Sequence, residues 1–157
     1  MARLGRRDRI ITAILDATGF RLDDVMRARV WELRTQTIKL REAKTGKVRS
    51  VTISPGLHSR LSAYFAGRPP LRAAFPTLCR RRRHREHRST FWRHFVAAAA
   101  AAGLPRSYTP HGLRKRYAVR LFRQTGDLEA VRRDLGHAYI GTTAIYALSA
   151  DLYSDKP

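Results

Sequence analysis

The stretch TPHGLRKRYA, Thr109–Ala118, decides how the rest of the chain is read. Thr109 has the hydroxyl of a helix N-cap and Pro110 the fixed φ of a first helical turn, so a helix is predicted to open here. It carries His111, Arg114, Tyr117, Ala118, Leu121 and Phe122. His111 and Arg114 lie three residues apart and share a face. They share it at a helix N-terminus, where unpaired N–H groups and the dipole attract anions. A guanidinium and an imidazole presented together can clamp a phosphate with a proton-transfer group beside it. HxxR also occurs as an ordinary surface pair, so its meaning depends on the remainder of the chain.

That remainder is strongly basic. Among 157 residues, 32 Lys and Arg face 12 Asp and Glu, a net charge of +20, and most of the cations are arginine. Such an excess repels itself and favours a polyanionic partner. Guanidinium forks suit phosphate, which makes nucleic acid the first candidate, a membrane surface the second, and a merely solvated surface the structural alternative. The length suits one domain with a real core. Cys79 is alone, which excludes an intramolecular disulfide and fits a reducing compartment. No stretch approaches the roughly 20 apolar residues needed to span a bilayer. The opening MARLGRRDRIITAILDATG has a basic flank like a signal peptide, but IITAIL is short and Asp16 follows it. The expectation is a cytoplasmic domain facing nucleic acid, with no membrane.

Neither internal repeats nor Pro-, Gly- or Ser-rich linkers divide the chain. Leu4, Ile10, Ile11, Ile14 and Leu15 predict a first helix ending at Gly19. Asp23 and Asp24 lie near the start of a second short helix with Val25 and Met26, where acids suit the dipole. From Val30 to Ile53, β-branched residues alternate with polar ones through VWEL, TIKL and VRSVTI. KTGK between the last two is a hairpin signal, with Gly46 free to take a positive φ and Lys44 and Lys47 at the tip. A helix over Leu57–Ala66 follows. CRRRRHREHR is too polar to pack. Ser89 is predicted to cap a helix through Phe91, Trp92, Phe95 and Val96, stopped by Gly103 and Pro105. Trp31, Trp92 and Phe95 have spacings that suit a core better than base stacking. Beyond the HGLR helix, DLEAVRRDL forms another, broken by Gly136, and a last short helix holds Thr142–Leu148. The fold class is mainly α with a small antiparallel β-sheet.

Two further stretches carry chemistry. In DATGFRLDDV, Arg21 follows a glycine turn, and a neighbouring carboxylate could aim its fork at a ligand. In LGHAYIGTTAIY, Gly136 sets His137 just beyond a helix end, and Tyr146 follows nine residues later. Taken together and in this order, TGFR-LDD, the hairpin lysine, HGLR, LGH and the tyrosine resemble the catalytic domain of the tyrosine recombinases, the phage-integrase family. These share their core with type IB topoisomerases, and the likeness covers nearly the whole chain.

The resemblance implies that Arg21, Lys44, His111, Arg114, His137 and Tyr146 are catalytic, with Tyr146 the nucleophile. Lys44 is preferred to Lys47 because the family lysine usually precedes the tip. Asp24 matches the family's acidic position. The implied activity is site-specific DNA recombination: strand cleavage and rejoining through a 3′-phosphotyrosyl intermediate, with a free 5′-hydroxyl and no ATP. The implied partner is double-stranded DNA, contacted also by Lys47, Arg81, Arg82, Arg83, Arg88, Lys115 and Arg116, with a homo-oligomer, a tetramer, assembling on it.

Elementary chemistry agrees. A phosphodiester repels nucleophiles until its non-bridging oxygens are neutralised, and two arginines do that at any working pH. No carboxylate cluster resembles a magnesium site, so no metal or cofactor is expected. A tyrosine with a pKa of about 10 needs cations or a base beside it to attack. A mobile hairpin lysine can protonate the leaving 5′-oxygen.

Two rivals stand beside this reading. One is a non-catalytic DNA-binding module derived from a recombinase, which the Arg81–Arg88 region alone would support. The other is a metal-dependent nuclease using His84, His87 and His94, against which the flanking arginines and the lack of acids apart from Glu86 argue. Three departures from the family pattern also stand out. Residues 1–157 are expected to be one catalytic domain, with a short tail after about 148 and without the helical core-binding domain that commonly precedes it. Arg116 stands where the family has a small or hydroxyl residue. The short segment after Tyr146 would limit tetramer formation from this chain alone.

Overall fold

The computed structural model describes residues 4–76, 88–106 and 108–136. In chain order the elements are α1 (Arg6–Thr18), α2 (Leu22–Arg27), α3 (Val30–Leu33), β1 (Thr37–Arg41), β2 (Val48–Thr52), α4 (Pro55–Tyr64), α5 (Arg88–Ala100), α6 (Pro110–Thr125) and α7 (Leu128–Leu135). The mainly helical architecture with one small antiparallel sheet agrees with the sequence reading. Most of CRRRRHREHR and the expected helix Thr142–Leu148 lie outside the described residues.

The helices begin and end where local chemistry dictates. α1 turns Ile10, Ile11, Ile14 and Leu15 inward and stops at Gly19, whose φ of 60° lets its N–H reach the Leu15 carbonyl. α6 opens on Thr109, whose Oγ1 accepts from the Gly112 N–H at 3.0 Å, with Pro110 behind it. α7 opens on Asp127, which accepts from the Glu129 N–H at 2.8 Å, and closes at Gly136 in the left-handed region.

β1 and β2 pair antiparallel with Ile38 opposite Val51 and Leu40 opposite Arg49. Ile38, Leu40, Arg49 and Val51 are all buried, so the inward face of the ribbon contains one arginine among three apolar residues. Between the strands, the Glu42 N–H donates to the Lys47 carbonyl and the Gly46 N–H to that of Glu42. Lys47 therefore closes the turn at its base, and Lys44 lies at the tip.

Three expectations change. VWEL is not a strand but α3: Glu32 accepts from the Arg29 N–H at 2.7 Å, and the Val30 and Trp31 N–H groups donate to the carbonyls of Arg72 and Pro70. The first-turn donors thus find partners in a distant segment, which alternation in the sequence could not register. Ser89 lies within α5 and does not cap it. Trp31 and Trp92 are about half exposed, and only Phe95 of that set is in the core.

The main apolar cluster joins α1, α2, the ribbon, α4 and α5 through Ile11, Ile14, Phe20, Ile38, Leu61, Phe65, Phe75, Phe91 and Phe95. Each such side chain contributes about 1.5–3 kcal/mol when fully buried. A smaller cluster of Tyr117, Ala118, Val131 and Leu135 joins α6 to α7. None of the described helices is long and apolar enough to cross a membrane.

The closest approach in this framework is at Gly19. A Cβ there would lie 2.5 Å from Cδ1 of Tyr117, at a φ that L-residues rarely adopt. Gly19→Ala is expected to destabilise the chain by about 2–4 kcal/mol, summing left-handed strain and overpacking. Urea unfolding checks this; a change below about 0.5 kcal/mol would mean that the turn and Tyr117 move apart freely.

Candidate active site

Arg21 caps α2 with extended backbone, and its carbonyl accepts from the Asp24 and Val25 N–H groups. Its Nη1 lies 2.7 Å from Oε1 of Glu42, whose side chain is only 2% exposed. At this distance hydrogen bonding and charge attraction both favour the ionised carboxylate. The carboxylate that holds Arg21 therefore comes from the hairpin, not from the adjacent LDD acids as the sequence suggested. Asp23 pairs instead with Arg27 one turn on, at 3.1 Å. Asp24 is buried, and its Oδ1 accepts from the Ala43 N–H at 2.9 Å, tying α2 to the hairpin base.

Glu42 is the hub. Its Oε2 accepts from the Thr45 hydroxyl at 2.8 Å. Gly136, at the end of α7, packs so near that a Cβ would fall 3.2 Å from Oε2. Burial alone would raise the Glu42 carboxyl, but Arg21, Thr45 and the charge of Arg114 outweigh it and hold it below the usual range. Asp24 moves the opposite way. Burial pushes it up, and the Ala43 N–H and the nearby arginines offset this only in part.

Arg114, 4% exposed, closes the cluster from α6. Its Nη1 donates to the Gly19 carbonyl and its Nη2 to the Leu135 carbonyl, each at 2.5 Å. One side chain thus binds the turn before Arg21 to the end of α7. His111 stands one turn earlier on α6, with solvent access. Lost hydration and then the charges of Lys115, Arg114 and Arg21 lower its pKa below the ordinary 6.5, which favours a neutral imidazole at pH 7.

Arg21, His111 and Arg114, scattered through the sequence, therefore form one cluster, with Glu42 beside its two arginines. Lys44 is exposed on the hairpin turn two residues beyond Glu42. Of the expected DNA contacts, Lys47, Arg88, Lys115 and Arg116 are exposed. Arg116 turns to its own fold: Nη1 donates to the Tyr108 hydroxyl at 2.5 Å, its guanidinium lies 5.3 Å from that ring, and Asp16 is 3.9 Å away. His94 Nδ1 lies 2.9 Å from Oδ2 of the buried Asp8. His137, Tyr146, Arg81, Arg82 and Arg83, with His84 and His87, lie outside the described residues.

Glu42 was missed by the sequence reading. Its signal was parity: Ile38 and Leu40 face inward, and Glu42 continues their phase past the end of β1.

The model of the Phage integrase family matches residues 2–152. The chain belongs to that family. Tyrosine recombinase XerD of Lacticaseibacillus casei is 34% identical over 151 residues, covering 91% of this chain and 50% of that protein. XerA recombinase has a crystal structure that matches with a TM-score of 0.76 at 26% identity, covering 98% of this chain and 58% of that one. XerH site-specific recombinase, bound to palindromic difH substrate in a post-cleavage complex, matches with a TM-score of 0.69 over 99% of this chain and 48% of that one. At 22% identity this last likeness bears on the fold alone. The chain spans about half the length of the curated family members it matches. Family membership accounts for the order of the clustered elements: arginine turn, hairpin, HxxR helix and LGH helix end.

Removing the central charge should be felt. Glu42→Gln is expected to lower stability at neutral pH by about 1–3 kcal/mol, less than a fully buried unpaired charge costs because Arg21 keeps solvent access. Because the Glu42 carboxyl is depressed in the folded state, its contribution is present above the unfolded carboxyl pKa and lost as pH falls through the folded value. The variant should therefore show a shallower acid-side loss in urea titrations; parallel curves would contradict the assignment.

For His111 the sign is similar. A lowered folded pKa favours the neutral form, so its contribution to stability is full above 6.5 and declines as pH drops below that. Its imidazole proton shift, followed by NMR, should have a midpoint below 6.5; a midpoint at or above it would rule out the cationic surroundings described.

Proposed function

We propose that this chain carries the catalytic site of a site-specific tyrosine recombinase that cleaves and rejoins double-stranded DNA. The observation that supports it most is the gathering of Arg21, His111 and Arg114, with the buried Glu42 beside the two arginines, in a chain of this family. The net charge of +20 fits a polyanionic substrate.

In this reading Arg21 and Arg114 neutralise the non-bridging oxygens of the scissile phosphate and stabilise the charge of the transition state. The Tyr146 oxygen attacks phosphorus, its proton passes to neutral His111, and the bond from phosphorus to the 5′-oxygen breaks. Lys44, at the hairpin tip, protonates that leaving oxygen, giving a 5′-hydroxyl and a 3′-phosphotyrosyl link. His137 hydrogen-bonds the same phosphate. One P–O bond replaces another, so the reverse step joins a new strand without ATP. Lys47, Arg81, Arg82, Arg83, Arg88, Lys115 and Arg116 add phosphate contacts, which position the duplex without reading its sequence. Arg116, half exposed, keeps N–H donors beyond its bond to Tyr108 for such a contact. Protomers act on DNA in the cytoplasm as a homo-oligomer.

A duplex nicked near the cleavage site traps the intermediate, because the released strand end diffuses away. The chain is expected to form a denaturation-resistant adduct attached at Tyr146. Tyr146→Phe should bind the same duplex while adduct formation falls by on the order of 10³-fold or more. An adduct formed by the Phe variant, or mapped elsewhere, would remove Tyr146 as nucleophile. Binding with no adduct from the unmodified chain would favour the non-catalytic module.

A further inference from the structure

Arg49 is the feature that neither the family's site nor the core explains. It sits on the inward face of β2, opposite Leu40, and is 7% exposed. A cation buried there requires partners. Its Nη2 donates to the Thr18 carbonyl at 2.5 Å and to Asp134 Oδ2 at 2.7 Å. The rings of Phe20 and Tyr117 lie 4.7 and 5.4 Å from the guanidinium carbon. The Tyr117 hydroxyl donates to the same Asp134 oxygen at 2.9 Å. Burial, then the Asp134 charge, pushes the Tyr117 phenol up to about 12, so it remains a donor at any working pH.

The placement of these partners gives the network its meaning. Arg49 bridges Thr18 to Asp134. Arg114 bridges Gly19 to Leu135, the next residue along each of the same two segments. Tyr117 is one turn beyond Arg114 on α6, and its ring is the surface against which Gly19 packs. The two guanidiniums are thus adjacent rungs between the end of α1 and the end of α7. Only the Arg114 rung belongs to the candidate site.

We infer that Arg49, Asp134 and Tyr117 are positioning residues for Arg114, locking the Thr18–Gly19 segment to the Asp134–Leu135 segment at the spacing that its guanidinium must bridge. They touch no reacting atom. Their effect on rate rests on the recombinase reading; their effect on Arg114 does not. A salt bridge that served folding alone would change the unfolding midpoint and leave a folded, DNA-saturated site as fast as before.

The test uses Tyr117→Phe, Asp134→Asn and the full chain, each at a temperature where it is folded. The first readout is solvent exchange of the Arg114 Nε–H by NMR in the free chain. It should accelerate about 10-fold or more in Asp134→Asn and by a smaller factor in Tyr117→Phe, as local opening becomes easier. The second is adduct formation on the nicked duplex at saturating DNA. It should slow about 10- to 100-fold in Asp134→Asn, as expected for a misplaced catalytic group, with duplex affinity within about twofold of the unmodified chain. Tyr117→Phe removes only the hydroxyl and keeps the ring on Gly19, so it decides the matter if Asp134→Asn does not fold. Unchanged Arg114 exchange overturns the inference, as does an unchanged adduct rate in a chain that cleaves. If the unmodified chain forms no adduct, the recombinase reading fails and the exchange measurement alone decides the positioning role.

Discussion

The rest of the site depends on Arg114, a guanidinium buried to 4% exposure that donates to two backbone carbonyls from opposite ends of the described chain. A cation in that position has lost most of its hydration, and charge-assisted bonds to carbonyls return part of it. Gly19 ends α1 and Leu135 ends α7, so the same bonds that solvate the charge fix where two helix ends lie. Helix ends carry unsatisfied carbonyls in any case. The arginine thus satisfies an orphan acceptor while being held by it, which is how a long side chain becomes a rigid one.

Charge neutralisation completes the arrangement. The chain has a large cationic excess, yet two of its few acids, Asp24 and Glu42, are buried beside the arginine cluster. Their carboxyls shift in opposite directions for a local reason. Glu42 has Arg21, the Thr45 hydroxyl and the Arg114 charge to favour its ionised form, and these prevail over burial. Asp24 has one backbone N–H and the charges of Arg21 and Arg114, and burial, aided by the Glu42 charge, prevails. The site is therefore not a simple basic patch. The Glu42 carboxylate offsets the repulsion between two nearby arginines, and a Cβ at Gly136 would lie only 3.2 Å from its Oε2.

Much of the architecture was legible in local chemistry. The αL glycines at positions 19 and 136, the Thr109–Pro110 start of α6 and the KTGK turn were readable because caps and turns are decided within a few residues. VWEL was misread because its short helix is stabilised by carbonyls forty residues away, at Arg72 and Pro70. The tryptophans were misread for a related reason. Their spacing fits a helix face, but which face meets the core depends on neighbours that only packing supplies, and about half of each ring remains in solvent. Glu42 and Arg49 were both visible as charges in the inward phase of alternating strands. Taken alone, such a charge looks like an error of pattern; it becomes informative when its partners are known.

What the sequence by itself determined is the inventory and its order: an arginine after a glycine turn, a hairpin lysine, HxxR at a helix start, LGH and a tyrosine, in a chain whose basic excess favours a polyanion. Those follow from residue identity and near-neighbour geometry. Only the tertiary structure decided that Arg21 is held by Glu42 and not by its own neighbours, that Arg116 folds back on Tyr108, and that Arg49 and Arg114 bridge the same two segments. The Glu42, Arg49 and Arg114 contacts join residues distant in the chain. Such contacts are set by desolvation: a buried charge pairs with an acceptor that the packing brings within reach, and the local sequence alone does not name it.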